Sequence, residues 1–286
     1  MGLWRDKIKT AMKRMGGCRQ WASEKRAVIL CYHSIHPTCS FRSATPELFE
    51  THLQWLKEHC DVVPLQKLLS SRSWDRLSQP KVAITFDDGY LDNYVYAFPL
   101  LMKHQLSATF FFTVGLLERD AKVIERFQFL RRTDIEEIES LTWQQAREML
   151  KAGMELGSHT YSHPNLALLG RAQLEWELKH AKEIMEERIG QRLDGLAYPF
   201  GKPSRHFNEL TVETVRDAGY QYALAVCCRR VLSRDSRWAL PRFFVTGDNL
   251  AVLASKVKGG WDLQGYFQEW SPLWLARMVS PMDFVP

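Results

Sequence analysis

The sequence predicts an α/β chain built on parallel strands, and three observations support it. Short apolar, β-branched or aromatic runs alternate with longer segments of helical periodicity, and strand–helix–strand order calls for parallel pairing. The polar clusters fall just after the strand candidates, where doubly wound sheets and closed barrels alike collect their ligands. At 286 residues, 45% hydrophobic and 25% charged, the chain can bury a sizeable core.

Residues 1–26 form a basic amphipathic segment, in which Leu3, Trp4, Ile8, Ala11, Met12 and Met15 fall near helical spacing beside Arg5, Lys7, Lys9, Lys13 and Arg14. Periodicity leaves two readings open, a helix packed on the domain or an interfacial anchor. The first strand runs from Ala27 to Tyr32 and delivers His33. A helix over Pro46 to His59, with Leu48, Phe49, Leu53 and Leu56 in phase, leads to a second strand, Val82 to Phe86, which ends at Asp87-Asp88-Gly89. A helix over Tyr94 to His104 precedes the third strand, Ala108 to Val114. The charged stretch Glu118 to Ser140 reads as an insertion, a solvated helix or mobile loop.

Beyond it come a helix over Thr142 to Lys151 and a fourth strand, Met154 to Ser158, followed by His159 and His163. A helix over Arg171 to Ile189, a fifth strand from Gly195 to Tyr198 and the turn Pro199-Phe200-Gly201 come next. A helix over Asn208 to Ala218 and strands at Tyr220 to Val226 and Phe243 to Val245 complete the pattern. Residues 27–248 read as one catalytic domain. Residues 249–286 form an aromatic-rich extension with Trp261, Tyr266, Phe267, Trp270 and Trp274.

No apolar run approaches the roughly 18 residues that a membrane span needs, so neither a signal peptide nor a span is expected. The six cysteines show no C-x-x-C spacing and suit a reduced compartment. The expectation is a cytoplasmic protein, with peripheral contact at the inner face of a membrane if the amphipathic start is an anchor. A net charge of +5 is too modest to indicate nucleic acid.

Successive strand residues point to opposite faces, so Asp87 and Asp88 can serve one site only if a turn intervenes, and Gly89 supplies it. One Asp can then bind a metal while the other stays free as a base. His159 and His163, four apart, can reach one ion, and Asp88 offers a third ligand. Two His and one carboxylate with open positions form a hydrolytic set for zinc.

In this order, Thr85-Phe86-Asp87-Asp88-Gly89, His159-Thr160-Tyr161-Ser162-His163 and Ala197-Tyr198-Pro199-Phe200-Gly201 resemble the motifs of the polysaccharide deacetylases of carbohydrate esterase family 4. The resemblance runs from about Ala27 to Val245. It implies a distorted (β/α) barrel of about seven parallel strands, one divalent ion and hydrolysis of N-acetyl groups on amino sugars. By position, Asp87 would be the general base, and Asp88, His159 and His163 would hold the ion. Zinc is the first expectation, with cobalt, nickel and manganese as alternatives.

Ala197 stands where many members have an Arg that orients the base, and the backbone N–H of Phe200 would serve the oxyanion. No His follows His206, but Leu30-Cys31-Tyr32-His33-Ser34-Ile35 resembles the opening of the subgroup acting on poly-N-acetylglucosamine, which assigns the general acid to His33. Arg242, in Leu240-Pro241-Arg242-Phe243, can replace the missing Arg by pairing with Asp87, or form a structural salt bridge. Tyr198, Pro199 and Trp238 are the candidates for substrate contact, while His36, His52, His59, His104, His180 and His206 are expected to be surface or structural groups.

The substrate expected is an amino-sugar saccharide, free, lipid-linked or nucleotide-linked, in surface-polysaccharide synthesis. A deformylase of a lipid-linked amino sugar is one rival reading. A catalytically silent carbohydrate-binding protein is the other, and retention of Asp87, Asp88 and both His argues against it.

Overall fold

The computed structural model describes residues 27–38, 43–70, 79–131 and 139–270. The amphipathic segment 1–26, the centre of the charged insertion at 132–138, and the tail with Trp274 lie outside the described residues.

Seven parallel strands occupy the seven sites read from the sequence: β1 (Val28–Tyr32), β2 (Lys81–Phe86), β3 (Thr109–Phe112), β4 (Glu155–Ser158), β5 (Gly195–Ala197), β6 (Tyr222–Leu224) and β7 (Phe243–Phe244). Their spatial order is β7-β1-β2-β3-β4-β5-β6. A two-residue strand, Asp61–Val62, also joins β2 near its start, and Ser34–Ile35 pairs with Ser43–Ala44. Neither was legible as a strand, because two residues carry no periodicity. The sheet curls into a (β/α) barrel. Its two edges meet through one short segment: Leu240 bridges Leu224 at the end of β6, and three residues later β7 pairs with β1.

Period-two alternation sorts the strand residues into two packed sets. Val28, Leu30, Tyr32, Val82, Ile84, Phe86, Phe110 and Phe112 face outward and pack with Leu53, Leu56, Leu101, Met149 and Met185 of the surrounding helices. Ile29, Ala83, Phe111, Ala197 and Leu224 form the inner set. All of β1 is buried, as expected for a parallel strand covered on both faces. The register is level: Tyr32 sits opposite Phe86, and Phe112 opposite Ser158. Consequently the residues that follow these strands, His33, Asp87 and His159, emerge together at one mouth.

The helices hold to the sequence pattern with instructive exceptions. Thr45 caps the helix Pro46–His59 by accepting the Leu48 N–H at 3.2 Å, and Pro46 opens it where no N–H is needed. That helix buries Phe49, Leu53 and Leu56. The expected helix over Tyr94 to His104 begins instead as a π-helical turn, Asn93–Ala97, and becomes α-helical only from Phe98. Pro99 has no N–H to continue the earlier ladder, so the hydrogen-bond register shifts there. Arg171 to Ile189 is interrupted by a second π-helical turn, Trp176–His180. Leu253 and Val257, from the helix Leu250–Val257, enter the same core cluster as β1, so this helix packs on the barrel.

Among the described residues no helix is long and apolar enough to cross a membrane. Cys31 and Cys60 are buried free thiols.

Phe86 ties the outer set together, stacking on Tyr32 at 5.5 Å and Phe110 at 4.7 Å with Phe49 edge-on at 5.6 Å. Phe86→Ala is expected to cost about 3–5 kcal/mol in urea unfolding. A loss below about 1 kcal/mol would show that the cluster does not carry the wall.

Candidate active site

The mouth of the barrel assembles four strand ends. At the end of β2 the Asp87 N–H donates to the Tyr32 carbonyl at 3.0 Å, and the chain then turns sharply. The turn is shared: Asp88 itself is left-handed (φ 79°) before Gly89 (φ 89°), so the turn expected at the glycine begins one residue earlier, on a non-glycine residue. This directs the two carboxylates apart. Asp87, at 2% exposure, faces the barrel interior, and Asp88, at 3%, faces the histidine loop.

Arg242 fills the interior behind Asp87. It is wholly buried and grips the carboxylate with both ends of its guanidinium, at 2.8 Å to Oδ1 and 2.8 Å to Oδ2. It also donates to Thr85 Oγ1 at 3.2 Å. Burial alone would raise the Asp87 pKa. Arg242 outweighs that, with help from His159, and holds the carboxyl well below the usual carboxylate range. The Cys31 thiol adds a 3.4 Å contact to Oδ2. Ala197 leaves space on β5, and the Arg comes from the segment that closes the barrel.

Asp88 has no such cation. Its Oδ1 makes no hydrogen bond, yet it stands 3.5 Å from His159 Nε2 and 3.6 Å from His163 Nε2. These distances are too long for hydrogen bonds and match the edge of a tetrahedral site, about 3.4 Å between ligand atoms for bonds of about 2.0–2.1 Å. The His159 ring is oriented from behind: its Nδ1–H donates to the Ala197 carbonyl at 2.7 Å, which leaves the Nε2 lone pair facing Asp88. An orphaned buried carboxylate oxygen and two imidazoles converging on one point fit a divalent ion. Asp88 is also held below the usual range, burial opposing and His33, His163, His159 and a Tyr90 hydrogen bond prevailing.

Cys31, His33 and Asp87 form a second set of ligand-type atoms within 4.8 Å of one another. Arg242 already neutralises that Asp, so the first set is the better cation site. His33 follows β1, with its ring edge-on to Phe244 at 4.7 Å and its carbonyl accepting from Asn93 Nδ2 at 2.6 Å. Phe200 is left-handed (φ 60°) and lays its ring across His163 at 4.6 Å.

The three substrate-contact candidates do not gather around this cluster. Tyr198 is fully buried, stacked on Phe207 at 3.9 Å with its hydroxyl donating to the Trp238 carbonyl at 2.9 Å, so its side chain has no surface to offer a sugar. Pro199 is buried as well, and the half-buried Trp238 ring lies under Arg216 at 5.2 Å. His206, read as surface or structural, accepts the Lys202 N–H through Nδ1 at 3.1 Å and packs on the Phe200 ring at 5.1 Å. His52 is structural, linking Tyr32 to the Asp248 carbonyl. Tyr90, Asn93 and Glu177 also support the site and carried no motif that would have singled them out.

The family profile described as polysaccharide deacetylase matches residues 75–223. YxkH of Bacillus subtilis (strain 168) is 32% identical over 195 residues, covering 68% of this chain and 62% of its own length, so the chain spans less than two thirds of that relative. The poly-beta-1,6-N-acetyl-D-glucosamine N-deacetylase of Staphylococcus aureus (strain MRSA252) is 22% identical, over 77% of this chain and 72% of its own. Among solved structures, IcaB from Ammonifex degensii superposes with a TM-score of 0.67 at 24% identity, over 82% of this chain and 98% of its own. The Streptococcus pyogenes deacetylase PplD in complex with acetate gives 0.66 at 23%, over 86% and 99%. At these identities the superpositions establish the fold.

Removing the cation behind Asp87 should leave a buried, unpaired carboxylate. Arg242→Met is therefore expected to lower stability by about 3–5 kcal/mol in urea unfolding. A change within about 0.5 kcal/mol would mean that the pair is not buried in solution.

Proposed function

The chain belongs to the polysaccharide deacetylase family, and from that membership and the site geometry we propose that it is a metal-dependent hydrolase releasing acetate from N-acetylated amino sugars. The observation that carries the reading is the convergence of Asp88 Oδ1 with two imidazole Nε2 atoms, at 3.5 and 3.6 Å, beside a second carboxylate already neutralised by Arg242.

Asp88, His159 and His163 would hold the ion, zinc by first choice, which when bound would supply Lewis acidity to an amide carbonyl and acidify water. Asp87 takes the proton of the attacking water as oxygen adds to the carbonyl carbon. Arg242 keeps Asp87 ionised and fixes its direction. The Phe200 N–H donates to the oxygen that becomes negative. His33, facing the same mouth from β1, gives a proton to the sugar nitrogen as the C–N bond breaks, and acetate and an amine leave.

The relatives' polymer puts N-acetylglucosamine saccharides first among substrates. Lipid-linked and nucleotide-linked forms belong in the same panel, in keeping with a role in surface-polysaccharide synthesis. Measuring formate beside acetate separates deacetylation from deformylation, and no product from any substrate would leave the silent carbohydrate-binding reading. With purified protein, Asp87→Asn should retain the ion and lose at least about 100-fold in turnover. His159→Ala or His163→Ala should lose the ion too. His33→Ala should slow amine release about 10²–10⁴-fold. Near-normal acetate release by Asp87→Asn would overturn the assignment of the base.

A further inference from the structure

The loop carrying both histidines is held against its own backbone preferences. Thr160 (φ 68°) and His163 (φ 55°) are both left-handed, and Thr160 is β-branched, the residue type least suited to that region. In this shape its two Nε2 atoms stand 3.5 and 3.6 Å from Asp88 Oδ1, and contacts on both flanks hold it. One flank is fixed by backbone: the carbonyls of Thr160 and Tyr161 accept the Val114 and Gly115 N–H groups at 3.1 and 2.8 Å.

The other flank is fixed by a single carboxylate. The consecutive N–H groups of Tyr161 and Ser162 both point at Glu177 Oε2, at 3.0 and 2.9 Å, and the Ser162 hydroxyl donates to Oε1. Paired successive amides of this kind form an anion-binding nest, and here the anion is supplied by the protein. Glu177 is only 6% exposed, an unusual place for a glutamate unless its charge is used. It sits in the π-helical turn Trp176–His180, and the rings at both ends of that turn pack on Tyr161, Trp176 at 4.7 Å and His180 at 5.7 Å. One widened turn thus holds the backbone and the side chain of the residue midway between the histidines.

We infer that Glu177 is a positioning residue for the metal site, pre-forming the His159–His163 loop so that both imidazoles are placed before the ion arrives. The inference rests on Asp88, His159 and His163 holding the ion, as proposed above. Partners of this kind, one step removed from the ligands, typically contribute 10–100-fold to metal affinity. Glu177→Gln keeps the shape and can still accept from both amides through its carbonyl oxygen, but it removes the charge that the nest was built around. Glu177→Ala removes the acceptor altogether.

The test compares full-length wild type, E177Q and E177A, stripped of metal, for Zn²⁺ affinity by competition with a chromophoric chelator, with circular dichroism as the check on folding. The expected result is about 10–100-fold weaker Zn²⁺ binding by folded E177Q, and weaker still by E177A, with turnover of E177Q restored at saturating Zn²⁺. Affinity of E177Q within about twofold of wild type would overturn the inference, and E177Q decides the matter if E177A does not fold. Wild-type protein that takes up no Zn²⁺ would overturn the metal reading and this inference with it, a different outcome from wild type binding tightly and E177Q matching it.

Discussion

Two neighbouring carboxylates, Asp87 and Asp88, lie in the mouth of a closed barrel with almost no access to water. Each buried charge costs on the order of several kcal/mol unless it is paired, and the two repel each other. The structure meets this constraint by separating their partners. The left-handed backbone at Asp88 and Gly89 turns the carboxylates in different directions, Asp87 toward Arg242 and Asp88 toward two imidazoles. Asp88 has no guanidinium beside it; two imidazole Nε2 atoms stand 3.5 and 3.6 Å from its Oδ1 instead, the arrangement on which the ion site is proposed. Barrel closure and electrostatics are one problem here. The Leu240–Phe244 segment both joins the edges of the sheet and carries Arg242 into the interior, so a fold that failed to close would leave Asp87 unpaired.

Much of this could be read from the chain because parallel strands write their ends into the sequence. A largely apolar run followed by a charged or imidazole side chain marks where a buried strand reaches the mouth, as at His33 and Asp87, whereas His159 follows the more polar Glu155–Ser158 and was read from its spacing to His163. The level register of β1 against β2 then places His33 beside Asp87 without any further assumption. Arg242 was legible only as one of two outcomes, since pairing with Asp87 depends on a contact across 155 residues that no local pattern encodes.

The features that escaped the sequence reading share a physical cause. Glu177 lies in a helix where glutamate is an ordinary residue, and only the bent loop beside it reveals that its charge is used. Tyr198 belongs to a run of strand type and sits near a motif, but period-two alternation turned its ring into the core against Phe207 rather than toward the mouth. His206 has no motif, and it reaches the Phe200 ring only because the turn there folds the following loop back over it. The second π-helical turn, at Trp176–His180, has no proline to announce it. These features follow from how the chain folds back on itself, over as few as six residues between Phe200 and His206, and not from periodicity.

The strength of the Asp87–Arg242 pair also constrains the chemistry. A carboxylate held below its usual pKa is a poor proton acceptor, and against bulk water, with a pKa near 15.7, it could accomplish little. It becomes adequate only if the water it faces has been acidified to about neutrality, the service a Lewis-acidic ion performs. In the proposed mechanism the same Arg that offsets burial of Asp87 thus makes the base depend on an ion at the neighbouring Asp88–His159–His163 cluster. In return Asp87, held well below the usual carboxylate range, stays ionised for its proposed role as base. What remains is to deliver a proton to the departing nitrogen, and Asp87 cannot keep one for long beside a guanidinium. A separate donor is needed, and the one proposed, His33, stands on the neighbouring strand end in the field of both carboxylates.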